Sequence, residues 1–411
     1  MTVLFTSRRW PAPCWLVVAV LLAACTPEKE IDTPAEPQAA AATAALDYPS
    51  LRDRHEQQLA ALEQALESSR ESGATAPARR LFEGWLYHAR LTGELASFDR
   101  AETALAELEA RSRTAPPCRE QAELAMANHR IEAAARALQA CPAADNRDLL
   151  IDIDYYQGRY QAALAGAVAL LNERNLPADY VRLARLRQGT GSSREADALL
   201  EAAEQRYHND NPHQLAWFHL QRGILALERK EYERARALFR RADRALPGWW
   251  LVQEHLAETS LLLGDEDLAT ELYDGVIAAT GDPQFIAARA EIDRRQGQRE
   301  AAEQAIEHAR RTLDIRLQEH PAAITGHAVD FYLNYGPVQR ALELARRDYR
   351  QRPYGAAATQ LATALRQAGD YRTALDILGA EVDAGWATPD ALEELALIRG
   401  ALASTAADAS H

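Results

Sequence analysis

The chain has 411 residues and a formal net charge of −14, which argues against sequence-independent binding to nucleic acid or to an anionic membrane surface. Hydrophobic residues make up 47% but aromatic ones only 7%, and alanine, the best helix former, is abundant, so packed helices are expected rather than sheets. With 20 glycines and 18 prolines, neither collagen-like nor broadly disordered sequence is indicated.

The first residues are basic at Arg8 and Arg9. They are followed by an apolar run, 15–22, too short to span a membrane as a mature helix. The run ends Leu22-Ala23-Ala24-Cys25. This resembles a bacterial lipoprotein signal, in which small residues precede a cysteine that is acylated and becomes the first residue. The resemblance implies a signal peptide over 1–24, lipid attachment at Cys25 and anchoring in the cell envelope. An ordinary signal peptide with Cys25 incidental is the alternative. Thr26 stands where an aspartate would imply inner-membrane retention, so the resemblance implies the outer membrane, facing the periplasm. Residues 25–46 carry Pro27, Pro34 and Pro37 with few large apolar side chains and read as a flexible linker.

A helix is expected from Tyr48, with Leu51, Leu59, Leu62 and Leu66 near one face and Ser50 with Asp53 as a capping box. It is read as a lead-in element over 47–76. Residues 223–247 then set the pattern for the rest. Tyr232, Ala235, Phe239, Ala242 and Leu246 lie three or four apart, as one helix face requires, after a polar break at Lys230 and before Pro247. The alanine recurs at Ala101, Ala134, Ala163, Ala196, Ala235, Ala269, Ala302, Ala341 and Ala374, with spacings of 33, 29, 33, 39, 34, 33, 39 and 33. A bulky or small apolar residue follows four positions on, and glycine-containing turns precede many of the alanines. The 39-residue intervals, near 207–211 and 312–323, call for longer helices or loops.

This pattern resembles the tetratricopeptide repeat, whose period is about 34 residues and whose two antiparallel helices carry small residues where they cross. The resemblance implies an all-α fold: a right-handed α-solenoid of about nine helix pairs over 77–387. Thr388-Pro389 starts a last capping helix, and 388–411 ends in a frayed tail. Within the implied repeats, Cys118 begins a first helix and Cys141 ends the second, so the two fall side by side. A disulfide there suits an oxidising compartment; two buried free thiols are the alternative.

Glycine-rich nucleotide loops, nucleophile elbows and zinc-protease motifs are lacking, so no catalytic residue, cofactor or metal is assigned. His208 and His213 read as loop histidines. Function is then expected in the curved surface of the array. Asp145, Asp148, Asp152 and Tyr155 share one helix face and form a candidate site for a basic or polar partner, or a solvated acidic face. Trp217, Leu220 and Ile224, with Leu227, are either groove residues or core. Trp249 and Trp250 are junction packing or a partner anchor, and Tyr332 packs inside its repeat. The reading is a scaffold or adaptor that binds partner proteins in envelope assembly, secretion or biogenesis. A binding module for a glycan or exported polymer is the alternative.

Overall fold

The computed structural model describes residues 46–113 and 115–408, with the backbone alone at 144, 145 and 406–408. The expected signal peptide, Cys25 and the linker up to residue 45 lie outside the described residues. Helix α1 (Tyr48–Ser68) leads in. Four helix pairs follow: α2–α3 (Ala76–Thr92, Ala96–Arg111), α4–α5 (Cys118–Ala127, Ile131–Leu138), α6–α7 (Arg147–Tyr156, Tyr160–Arg174) and α8–α9 (Pro177–Gly189, Ser193–Arg206). Five more are α10–α11 (Pro212–Glu228, Tyr232–Ala245), α12–α13 (Trp250–Leu262, Glu266–Thr280), α14–α15 (Pro283–Arg295, Arg299–Glu319), α16–α17 (Pro321–Tyr335, Val338–Gln351) and α18–α19 (Gly355–Gln367, Tyr371–Ala384). Helix α20 (Pro389–Asp408) closes the array, and there is no strand among the described residues. The architecture of the described residues is an all-α solenoid of nine tetratricopeptide-like helix pairs.

All nine phase-setting alanines, from Ala101 to Ala374, have 0% of their surface exposed. Each sits where its helix crosses the partner of the pair, and a larger side chain there would force the two backbones apart. The same logic fixes Gly223 in α10: a Cβ on it would stand 2.3 Å from the Phe239 ring of α11. Seven of the nine pairs share one turn, in which a residue with positive φ stands five positions before the alanine. Five are glycines, at 158, 191, 264, 297 and 369, but His129 and Lys230 occupy the other two at φ 56° and 60°. Gly336, before Ala341, departs from this pattern, with φ near −130° followed by Pro337.

The lead-in helix starts on Asp47, which accepts from the Ser50 backbone N–H at 2.9 Å; the Ser50–Asp53 capping box does not form the cap. The two long intervals are the loop 207–211 and the 21-residue helix α15. The shortest pair, α4–α5, is closed by a disulfide between Cys118 and Cys141, with Cα atoms 6.2 Å apart. Thr388 Oγ1 accepts from Ala391 N–H at 3.4 Å and caps α20.

Adjacent pairs stack, but the core does not stop at nearest neighbours. One buried cluster joins residues of α4 to α8 with residues of α14 to α20, and another joins Tyr48 and Leu91 to Trp249 and Trp250. The Tyr48 N–H donates to Pro247 O at 2.9 Å. Both indole N–H groups of Trp249 and Trp250 donate to Leu91 O, at 3.2 and 3.1 Å. The Ala387 N–H donates to Gly189 O at 2.9 Å. Leu91 and Gly189 lie in the last turns of α2 and α8, where helix carbonyls have no partner of their own, so distant segments cap them. The superhelix therefore closes on itself.

Candidate partner-binding site

Most of the surface expected to bind is buried. Asp148 and Asp152 are 8% and 5% exposed and Tyr155 6%. Asp148 accepts two hydrogen bonds from the Arg119 guanidinium, at 3.1 and 2.9 Å, and Asp152 is held by Arg182 and Arg185 of α8. Burial pushes the Asp148 carboxyl up, but the Arg119 hydrogen bonds and the Arg119 and Arg182 charges bring it below its ordinary value. Arg185 lies over the Tyr155 ring at 5.0 Å. This face is thus a neutralised internal network and not a free acidic patch. The Asp145 side chain lies outside the described residues.

Trp217, Leu220 and Ile224 are 4%, 0% and 3% exposed, and α10 is buried along nearly its whole length, so they are core. Trp249 and Trp250 anchor a contact within the chain, not a partner. His213 is not a loop residue. It is buried in the first turn of α10, edge-on to Tyr87 at 5.4 Å and to Trp249 at 4.6 Å, and burial pushes its imidazole down to about 3. His208 is exposed.

An open pocket among the described residues lies elsewhere, between the C-terminal half of α15 and helices α16 and α17. It has a volume of about 850 Å³ and is lined by Arg310, Asp314, Tyr332, Arg340, Glu343 and Arg347, with Leu317, Gln318, Leu344, Pro321 and Pro337 completing it. Its shape follows from two departures in the repeat. Helix α15 is longer than its counterparts, and the extended Gly336-Pro337 turn replaces the left-handed one. Gly336 also lets the Tyr332 ring lie flat on the backbone, since a Cβ would meet Tyr332 Cδ1 at 2.2 Å.

Tyr332 Oη donates to Asp314 Oδ1 at 2.6 Å, which fixes the phenol, and burial followed by the Asp314 carboxylate raises its pKa. Arg310 bridges Asp314 and Glu307, and Arg340 pairs with Glu343 at 2.7 Å. Arg347 takes part in no ion pair among the described residues. The pocket thus offers the Arg347 guanidinium, with the paired Arg310 and Arg340 beside it and apolar walls, an arrangement suited to a carboxylate-bearing ligand. Histidine, cysteine, serine and lysine do not line it. From the sequence, the 39-residue interval before Ala341 called for a longer helix or loop here, but no motif or spacing singled out Arg310, Arg340 and Arg347.

No protein-family model matches the chain. No curated protein matches it either. Among solved structures it is similar to tetratricopeptide-repeat proteins. The thermophilic TPR protein TTC0263 of Thermus thermophilus is 24% identical over 44% of this chain and 97% of its own, with a TM-score of 0.34. The pilF protein of Pseudomonas aeruginosa is 17% identical over 62% and 97%, with a TM-score of 0.36. The APC/C hetero-tetramer Cut9–Hcn1 gives 13% identity over 85% and 74%, with a TM-score of 0.41. This likeness is one of repeated helix pairs. Among the described residues no helix is long and apolar enough to cross a membrane.

Proposed function

We propose that this chain is a lipid-anchored, periplasm-facing scaffold that binds a partner protein through the pocket between α15, α16 and α17, without catalysing a reaction. The observation that carries the reading is Arg347 beside Arg310 and Arg340 in an open pocket with apolar walls. A partner segment with one or two carboxylates, from acidic side chains or a chain terminus, would pair with the arginines while its apolar residues cover Leu317 and Leu344. The lipobox-like Leu22-Ala23-Ala24-Cys25 supports the anchor, and the linker to residue 46 sets the reach.

Affinity capture from detergent-solubilised envelopes tests the site. The wild type is expected to retain a reproducible protein, and an Arg340→Glu/Arg347→Glu variant to lose at least ~10-fold of it, in line with about 1.4 kcal/mol or more. Undiminished capture by the variant would move the site elsewhere, and polysaccharide retained without protein would overturn the protein-binding reading. Incorporation of a labelled fatty acid, abolished by Cys25→Ala, tests the anchor.

A further inference from the structure

Most of the fully buried carboxylates among the described residues are matched by an arginine. Asp148 is paired with Arg119, Asp152 with Arg182, Asp179 with Arg174, Asp197 with Arg222, Asp348 with Arg352 and Glu394 with Arg366. Glu381 has no arginine but accepts from the hydroxyls of Tyr160 and Tyr349. Glu254 and Glu258, one turn apart on α12 and 5% and 3% exposed, form no ion pair with an arginine among the described residues; their ion-pair partner is His255, itself 1% exposed.

His255 Nδ1 lies 3.2 Å from Glu254 Oε2 and 3.5 Å from Glu258 Oε2, and all three ligand atoms fall within 4.8 Å of one another. Apart from these contacts with one another, none of the three atoms makes a well-directed hydrogen bond among the described residues. The imidazole stacks on Phe239 at 5.2 Å, which leaves it little freedom to turn away. Two carboxylates share one imidazole in a site closed off from water, so even a charged His255 leaves an excess of one negative charge, which the interior penalises.

We propose that Glu254, His255 and Glu258 form a divalent-cation site of the mixed nitrogen and oxygen type that suits Zn²⁺. Metal–ligand bonds of about 2.0–2.2 Å in a tetrahedron put neighbouring ligand atoms about 3.3–3.6 Å apart, close to the two Nδ1–Oε2 separations. A cation neutralises both carboxylates and satisfies all three orphaned atoms at once. Its binding energy would count toward folding, because α12 gathers the three side chains on one turn and its packing against α11 encloses them.

The test uses the full chain in detergent, stripped with a chelator, then titrated calorimetrically with Zn²⁺ and, because the site is enclosed, also refolded in its presence. One tightly bound equivalent is expected, with Tm raised by at least ~2 °C. Glu258→Gln is expected to lose that equivalent and the shift, while its metal-free Tm equals or exceeds that of the wild type, since the amide removes buried charge. No tight equivalent in the wild type by either route would overturn the site. So would one that Glu258→Gln retains, which marks an adventitious surface ion. Should Glu258→Gln fail to fold by circular dichroism, wild-type protein refolded with Co²⁺ decides: a visible d–d band of four-coordinate nitrogen and oxygen ligation supports the site, and its absence overturns it.

Discussion

Tyr160 and Glu381 are 221 residues apart in sequence, yet the phenol donates to the carboxylate at 2.7 Å in the buried interior. The same hydroxyl accepts the Gly355 N–H, also at 2.7 Å, so one side chain of α7 serves both a carboxylate of α19 and the first turn of α18. The Trp386 ring covers Gly355 so closely that a Cβ there would sit 2.0 Å from it. Tyr155, Tyr160, Tyr354 and Trp386 surround the join with ring centroids about 5.7–6.0 Å apart.

Tyr160→Phe removes both hydrogen bonds without changing the packing. It leaves Glu381 with Tyr349 alone and the Gly355 N–H without a partner, and is expected to cost about 3 kcal/mol. Urea denaturation followed by circular dichroism measures it. A midpoint within error of the wild type would mean that the join contributes nothing.

Lys230 is exposed and sits at φ 60° where five sister turns use glycine. Lys230→Gly removes the left-handed penalty of a side chain and is expected to stabilise by roughly 0.5–1 kcal/mol after the glycine's extra unfolded entropy is counted. A lower melting temperature would contradict the turn assignment.

The Cys118–Cys141 bridge closes a loop of 23 residues around the shortest pair. In the chain-entropy model it contributes about 3 kcal/mol. Reduction is expected to lower the urea midpoint by a matching amount, and a Cys118→Ala/Cys141→Ala variant to show no further change with reductant. Denatured, unreduced protein that labels with two thiol equivalents would refute the bond.

His213 is held neutral by burial, with its pKa brought down to about 3 from an unfolded value of about 6.5. The folded state therefore binds fewer protons, so this contribution is intact above about pH 6.5 and is lost progressively as pH falls toward 3. Burial also lowers His55 and His129. Glu123 and Asp330, pushed up to about 7 by burial, work in the opposite sense. The difference between proteins is the informative measurement: between pH 6.5 and 4.5 the stability of His213→Gln is expected to fall less steeply than that of the wild type. Equal slopes would remove His213 from the acid response.

The helix pairs were legible because their requirement is local and strict. An alanine with no exposed surface cannot be replaced by chance with a large residue, so Ala101 to Ala374 kept phase across the array. Turns were legible where glycine marked them and, at Lys230, from the polar break, but obscure at His129; both residues tolerate the same φ at a cost. Trp217 and Leu220 looked ambiguous because their apolar character suits a core and a groove alike. The burial of Trp249 and Trp250 depends on rotation accumulated over several pairs, and that of Asp148 and Asp152 on arginines of the neighbouring pairs; the spacing within one helix carries no record of either. The pocket needed both a long helix and an extended turn, and only the resulting geometry gathers Arg310, Arg340 and Arg347.

The carbonyl of Leu91 waits for Trp249 and Trp250, and that of Gly189 waits for Ala387. A repeat array that touches only its neighbours can add or lose units at either end and assemble from any point. Here the early pairs keep unsatisfied ends until chain made some 160 to 200 residues later arrives. Assembly is then slow to commit, as expected when distant contacts must form before they reward the chain, and a C-terminal truncation would harm the N-terminal pairs it never reaches in sequence. The molecule would melt more like a single globule than like a row of separable units.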